Sequence, residues 1–201
     1  MAEDDVPVED LKALEVKAGD EDTPGYKAPA KVDLKTIQAL DADDESLVKY
    51  KQDLLKGAED QLDEGGPNVL VKKLAICFED RDNIELDLTG DLSALKKKSI
   101  RIKEGTLYKL KISFRVQREI VSGLRFFVST TRKGVKVDKS SYMVGSYGPK
   151  KDEQHFTIAN FEEAPKGMIA RGHYVSKGKF CDDDKNVHLE WEWSFDITKD
   201  W

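Results

Sequence analysis

Two ten-residue runs alternate apolar and polar side chains with a period of two, and they constrain the fold more than anything else in the chain. "LYKLKISFRV" sets Tyr108, Leu110, Ile112, Phe114 and Val116 on one side and Lys109, Lys111, Ser113 and Arg115 on the other. "HLEWEWSFDI" sets Leu189, Trp191, Trp193, Phe195 and Ile197 against Glu190, Glu192, Ser194 and Asp196. That period belongs to strands with one dry and one wet face. Ile84–Leu88 and Ser99–Lys103 are shorter runs of the same kind. "VLVKKLAICF" begins in one phase with Val69 and Val71 and resumes in the other with Leu74, Ile76 and Phe78, which predicts a bulge near Lys72–Lys73. Turn signals punctuate the segment: "LTGD", "KEGT", "RKGV", "GSYGP", "APKG" and "DDDK". No convincing helical stretch interrupts them. Eight or nine strands in residues 67–201 predict an all-β, antiparallel sandwich.

The preceding residues are of another kind. Residues 1–66 hold 19 acidic and 8 basic side chains, a net −11, whereas residues 67–201 carry a net +5. Tyr26 and Tyr50 are the only aromatics before residue 67. So little apolar surface with so much charge predicts disorder for residues 1–32. Residues 33–57 read as a helix–loop–helix. Asp33 caps a first helix bearing Leu34, Ile37 and Leu40. In "LDADDESLVKYKQDLLKG", Asp43 or Asp44 caps a second, whose stripe is Leu47, Tyr50 and Leu54. A helix this short is marginal alone. Its stripe either packs on the rest of the chain or orders against a partner, and the pattern fits both. "EGGPN", residues 64–68, reads as a flexible break between this N-terminal arm and the sandwich.

Enzyme chemistry finds no foothold. "GSYGP" is not a nucleophile elbow, and no phosphate-binding glycine loop occurs. "CDDDK" and "DADDE" lack calcium-loop spacing. Cys77 and Cys181 read as free thiols, and His155, His173 and His188 are spaced for neither a metal nor a dyad. The expectation is therefore no catalytic residue, no metal and no cofactor. Lys96–Lys97–Lys98 and Arg132–Lys133 read as solubility patches, not a nucleic-acid surface. No run of about 18 apolar residues predicts a membrane span, and the acidic N-terminus is no signal peptide. Trp191 and Trp193 share a face, which reads first as a filled core and second as a lined apolar pocket, two arrangements with the same periodicity.

Seven longer stretches, in order, resemble the Rho GDP-dissociation inhibitor (RhoGDI) family. They are "LDADDESLVKYK" (40–51), "LDLTGDL" (86–92), "KISFRVQREIVSGL" (111–124), "RKGVKVDK" (132–139), "YMVGSYGP" (142–149), "EEAPKGMIARG" (162–172) and "DDDKNVHLEWEW" (182–193). The resemblance runs from about Tyr26 to Trp201. It implies an immunoglobulin-like sandwich with a regulatory arm, and a cytosolic protein that binds prenylated Rho-family small GTPases in the GDP state.

By that resemblance, Tyr26, Asp44, Ser46, Leu47, Tyr50 and Asp184 contact the GTPase, the arm lying on its switch regions. The geranylgeranyl lipid sits between the sheets, at Ile76, Ile100, Tyr108, Ile120, Leu124 and Trp193. Ile100 replaces an expected Phe, and Ser176 an expected apolar residue. Glu162 and Glu163 face the basic tail before the lipid. Two of the family's phosphoserine positions carry Asp33 and His173 here, while Ser99 retains a third. The expected assembly is a monomer forming a 1:1 complex after a transient encounter with a membrane surface. The alternative function is a general prenyl or lipid carrier of similar fold.

Overall fold

Both alternating runs are strands, and their dry faces meet. A computed structural model describes residues 44–55 and 63–201. Tyr26, Asp33 and the first expected helix lie outside the described residues. Helix α1 (Glu45–Leu55) is followed by β1 (Val69–Phe78), β2 (Ile84–Asp87), a short helix α2 (Leu92–Lys97), β3 (Ile100–Lys103) and β4 (Leu107–Val116). Then come β5 (Val121–Arg132), β6 (Val135–Tyr147), β7 (Gln154–Thr157), β8 (Glu162–Glu163), β9 (Gly172–Cys181) and β10 (Val187–Thr198). One sheet has the order β2-β1-β4-β7, with β8 also on β4. The other runs β3-β10-β9-β5-β6.

The sandwich is thus as expected, with two departures. β3 pairs with β10 in parallel, so the second sheet is mixed. The chain reaches β3 by crossing from β2 in the first sheet to the second, through the six residues of α2. Asp91 caps that helix by accepting the Ser93 N–H at 2.9 Å. On its far side the Ser194 hydroxyl donates to the Lys96 carbonyl at 2.8 Å, so Ser194, on the nominally wet face of β10, is buried.

The β1–β4 ladder shifts register between Val71 and Lys73, at the expected bulge. The shift lets Val69 and Val71, and then Leu74, Ile76 and Phe78, all reach the core from one strand. Phe114, Phe126 and Phe180 form its centre. Phe126 stacks on Trp191 at 5.7 Å, and Trp191 on Trp193 at 6.1 Å. Trp191 lies across Gly178, where a Cβ would stand 2.6 Å from the indole ring, so only glycine fits beneath it.

The segment between arm and sandwich is fastened along its length. Gln117, wholly buried, accepts the Glu64 N–H at 2.7 Å and donates to the Gly65 and Pro67 carbonyls at 2.8 and 2.7 Å. Arg118 bonds Asp63 and the Gly66 carbonyl. Asn68 accepts the Arg118 and Glu119 N–H groups. Glu64 pairs with Lys72 and with the buried Arg115. Gly65 and Gly66 take φ of 76° and 73°, a left-handed bend that suits glycine.

Candidate functional site

Among the described residues a gap lies between the sheets. Its walls are Ile76 of β1, Tyr108 and Leu110 of β4, Ile102 of β3, Val128 of β5, and Trp193 and Phe195 of β10. The volume is about 40 Å³, room for water-sized molecules only. Thr130 and Ser176 also line it, and their hydroxyls bond each other at 2.7 Å. That pair explains how Ser176 stands where an apolar residue is expected: its one polar atom is satisfied within the wall.

The rim is acidic and phenolic. Glu162 of β8 accepts the Tyr142 hydroxyl, and exposed Asp138 of β6 lies beside them. Burial, reinforced by the Glu162 carboxylate, pushes the Tyr108 and Tyr142 phenols well above their ordinary range. Both therefore stay neutral donors at any physiological pH. An apolar well under a negative rim suits a ligand that is greasy at one end and cationic beside it.

Of the six residues expected around a lipid, Ile76, Tyr108 and Trp193 line this gap. Leu124 is wholly buried in the core toward the other end of β5, and Ile100, on β3, packs partly buried against the core. Ile120 is half-buried in the β4–β5 turn. Ile102, Val128, Tyr142 and Phe195 line the gap without having been singled out. Their alternation was legible, but which part of the dry face stays unfilled is not a property of periodicity. The two acids part company: Glu162 turns to the cavity, while Glu163 pairs with Lys166.

α1 begins where expected. The Asp44 carboxylate accepts the Ser46 and Leu47 N–H groups at 2.9 and 3.1 Å. Leu47 and Tyr50 are 42% and 52% exposed, and no residue of the helix is buried. The C-terminal turn comes against the sandwich, with the Leu54 carbonyl over Gly148. Gly148 follows Tyr147, which pairs with Val121. Next to Val121, the Ser122 carbonyl accepts the Asp183 N–H at 3.4 Å. The helix end and the acidic turn bearing Asp184 therefore share one end of the sandwich, opposite the end where Glu162 sits. Of the remaining positions, His173 bonds Asp196 at 2.9 Å on the surface, and Ser99 is half-buried.

The acidic turn is locked from below. Asp182 accepts the Asn186 backbone and amide N–H groups, and its other side faces His188 Nε2 at 3.0 Å. Burial pushes the His188 imidazole below its usual value, against the pull of Asp182. The folded chain then binds fewer protons here than the unfolded chain. Stability from this site is complete above the ordinary histidine value of about 6.5 and declines as pH falls below it. The melting temperature is expected to drop between about pH 7 and pH 5.5, and less so in His188→Gln. Equal drops in both proteins would remove His188 as the cause.

The family profile "RHO protein GDP dissociation inhibitor" matches residues 12–200. Rho GDP-dissociation inhibitor 1 of Homo sapiens is 51% identical over 203 residues, covering 100% of this chain and 99% of the relative. Rho GDP-dissociation inhibitor 3 of Bos taurus is 49% identical over 186 residues, covering 92% and 82%. Among solved structures, a Niemann-Pick type C2 protein from Japanese carpenter ant aligns with a TM-score of 0.42 at 11% identity, over 69% of this chain and 98% of that one. Nothing about this chain follows from that last likeness. With a family match over nearly its whole length and half of its residues shared with curated members, the chain belongs to the Rho GDP-dissociation inhibitor family.

Proposed function

We propose that the protein takes prenylated Rho-family GTPases in the GDP state off membranes, shelters the geranylgeranyl chain between its sheets and blocks GDP release. It does so as a 1:1 cytosolic complex, regulating the partner's nucleotide without chemistry of its own. The observation that carries this reading is the gap walled by both sheets, apolar within and acidic at its rim. Glu162 and Asp138 suit the basic segment that precedes a prenylated cysteine.

Energetics assign the arm its part. Hydrocarbon burial gives about 0.8 kcal/mol per CH₂, so a prenyl chain gains on the order of 10 kcal/mol in the sandwich, about what it gains in a bilayer. A gap of about 40 Å³ must also widen to admit it, which costs packing. Contacts to the protein part of the GTPase must therefore tip the balance. The exposed Leu47 and Tyr50, with Asp44, Ser46, Asp184 and Tyr26, are the groups assigned to that contact. Held on the switch regions, they oppose the motions that release nucleotide, and the arm's net −11 speeds encounter with a basic surface.

Liposomes bearing prenylated Rho-family GTPase are the direct test. Sedimentation with saturating protein should leave the GTPase in the supernatant, and GTPase that stays in the pellet refutes the reading. A general prenyl carrier would extract the lipid-bearing protein yet leave GDP release unchanged. Asp44→Ala should weaken GTPase affinity by about 1–3 kcal/mol, of which about 1 reflects the lost helix cap. Asp44→Asn keeps the cap and should recover only that part. Calorimetric titration separates them, and unchanged affinity in both would detach Asp44 from the contact.

A further inference from the structure

The turn between β8 and β9 holds two large apolar side chains out into water. Met168 is 82% exposed and Ile169 66%, the two most exposed large apolar residues among those described. Scattered single exposures need no explanation, but adjacent ones on a rigid support do. This turn is rigid. The Glu104 carboxylate accepts the Gly167 N–H at 2.9 Å and both Nε and Nη2 of Arg171 at 2.9 and 2.6 Å. The Ala170 N–H closes on the Gly167 carbonyl at 3.0 Å. The Tyr174 hydroxyl donates to the Ala170 carbonyl, and Arg132 to the Arg171 carbonyl, each at 2.6 Å. Every fastening lies beside or beneath the tip, and none draws Met168 or Ile169 inward.

Two further observations define what the tip would meet. First, positive charge lies close to it: Lys166 and Arg171 of the turn are paired with Glu163 and Glu104, while Arg132 at the end of β5, Lys133 after it, and Lys103 and Lys199 near the anchoring Glu104 add four more cations. Second, the tip adjoins the cavity. Glu162 of the rim lies six residues before Met168, and the Ala164 backbone bonds Thr106 and Gly105, next to the strand that begins with Leu107 and the cavity's Tyr108. Apolar side chains projecting beside Arg132, Lys133, Lys103 and Lys199 fit the interface of an anionic bilayer. The chains enter the acyl boundary and the cations meet headgroups.

The geometry points to Met168 and Ile169 as a membrane-docking tip that seats the cavity end of the sandwich on an anionic lipid surface. The inference deepens the proposed extraction and rests on it for its purpose, but lipid binding by the tip stands or falls on its own. The apolar pair immerses a short distance while the sandwich remains in water. A prenyl chain then passes from bilayer to cavity over a path that begins at the membrane surface.

The test is flotation of the whole chain with bare phosphatidylcholine vesicles, with and without phosphatidylserine. Wild type should float with the phosphatidylserine vesicles and release in high salt. Met168→Asp with Ile169→Asp should reduce flotation about tenfold, since both changes are at exposed positions and remove the inserted apolar area. Circular dichroism checks that the fold is kept. Wild type that ignores both vesicles, or a variant that floats equally well, overturns the inference. The same variant, given prenylated GTPase in detergent micelles, should block GDP release as wild type does. Loss of that block would make the tip a GTPase contact, and a concentration-dependent doubling of mass abolished by the variant would assign it to a second copy. Either outcome overturns the membrane role. Wild type that fails to block GDP release refutes the Rho reading alone and leaves the vesicle result to judge the tip.

Discussion

Trp193→Ala is expected to lower unfolding stability by about 3–5 kcal/mol. Trp193 is almost wholly buried, lines the cavity and stacks on Trp191, which itself rests on Phe126 and covers Gly178. Truncation enlarges an existing gap and removes one layer of this stack, so neighbours cannot collapse to fill it. Urea denaturation should show an earlier midpoint with an unchanged slope. Trp193→Phe keeps a ring at the site and should cost much less, leaving a folded protein whose affinity for prenylated partner is still reduced. A loss under about 1 kcal/mol in the alanine variant would mean that the indole is not part of the supporting stack.

Cutting the fastening at residues 63–68 should separate the two activities. Gln117→Leu strands the Glu64 N–H and the Gly65 and Pro67 carbonyls. The expected stability loss is about 1–3 kcal/mol, because freed groups are recovered by water if the segment peels away. The functional loss is larger. With the segment fixed, the arm leaves the sandwich in one direction, and α1 is presented at high effective concentration to a partner already held by its lipid. A loosened segment should weaken GDP-release inhibition about tenfold or more while prenyl binding stays at the wild-type level. Arg118→Ala, which cuts only the Asp63 and Gly66 bonds at an exposed position, should give a smaller loss of the same kind. Inhibition equal to wild type in both variants would reduce the fastening to a structural seam.

Most strands were legible because their alternation spans enough residues to exclude a helix. The bulge in β1 was legible for the same reason: a phase slip within a single run has one geometric meaning. β3 was read as a strand but not as a parallel neighbour of β10, since four residues carry no record of which edge they join. α2 was missed because six residues with one cap look like any loop. The residues 64–68 looked loose by composition, yet Gly65 and Gly66 serve a tight bend whose partners lie some fifty positions away. Such partners leave no local trace. The candidate site was half legible. Ile76, Tyr108 and Trp193 meet at the gap, but Ile102, Val128 and Phe195 could not be told from other core residues, because a cavity is what packing leaves over. The α1 cap at Asp44 was read from its residue types alone, and what the exposed stripe of Leu47 and Tyr50 meets was not.

Strand β10 occupies the position between β3 and β9, although β3 is made long before it. Ile100 and Ile102 must therefore wait, uncovered, until the last described strand emerges from the ribosome and slides in beside them. Pairing across such a separation carries a large closure entropy before any contact rewards it, and chains dominated by such pairings fold slowly. The newly synthesised polypeptide thus passes through an interval in which β3 has no neighbour in its sheet. Its yield in a cell should depend more on molecular chaperones at that stage than the finished molecule's stability would suggest.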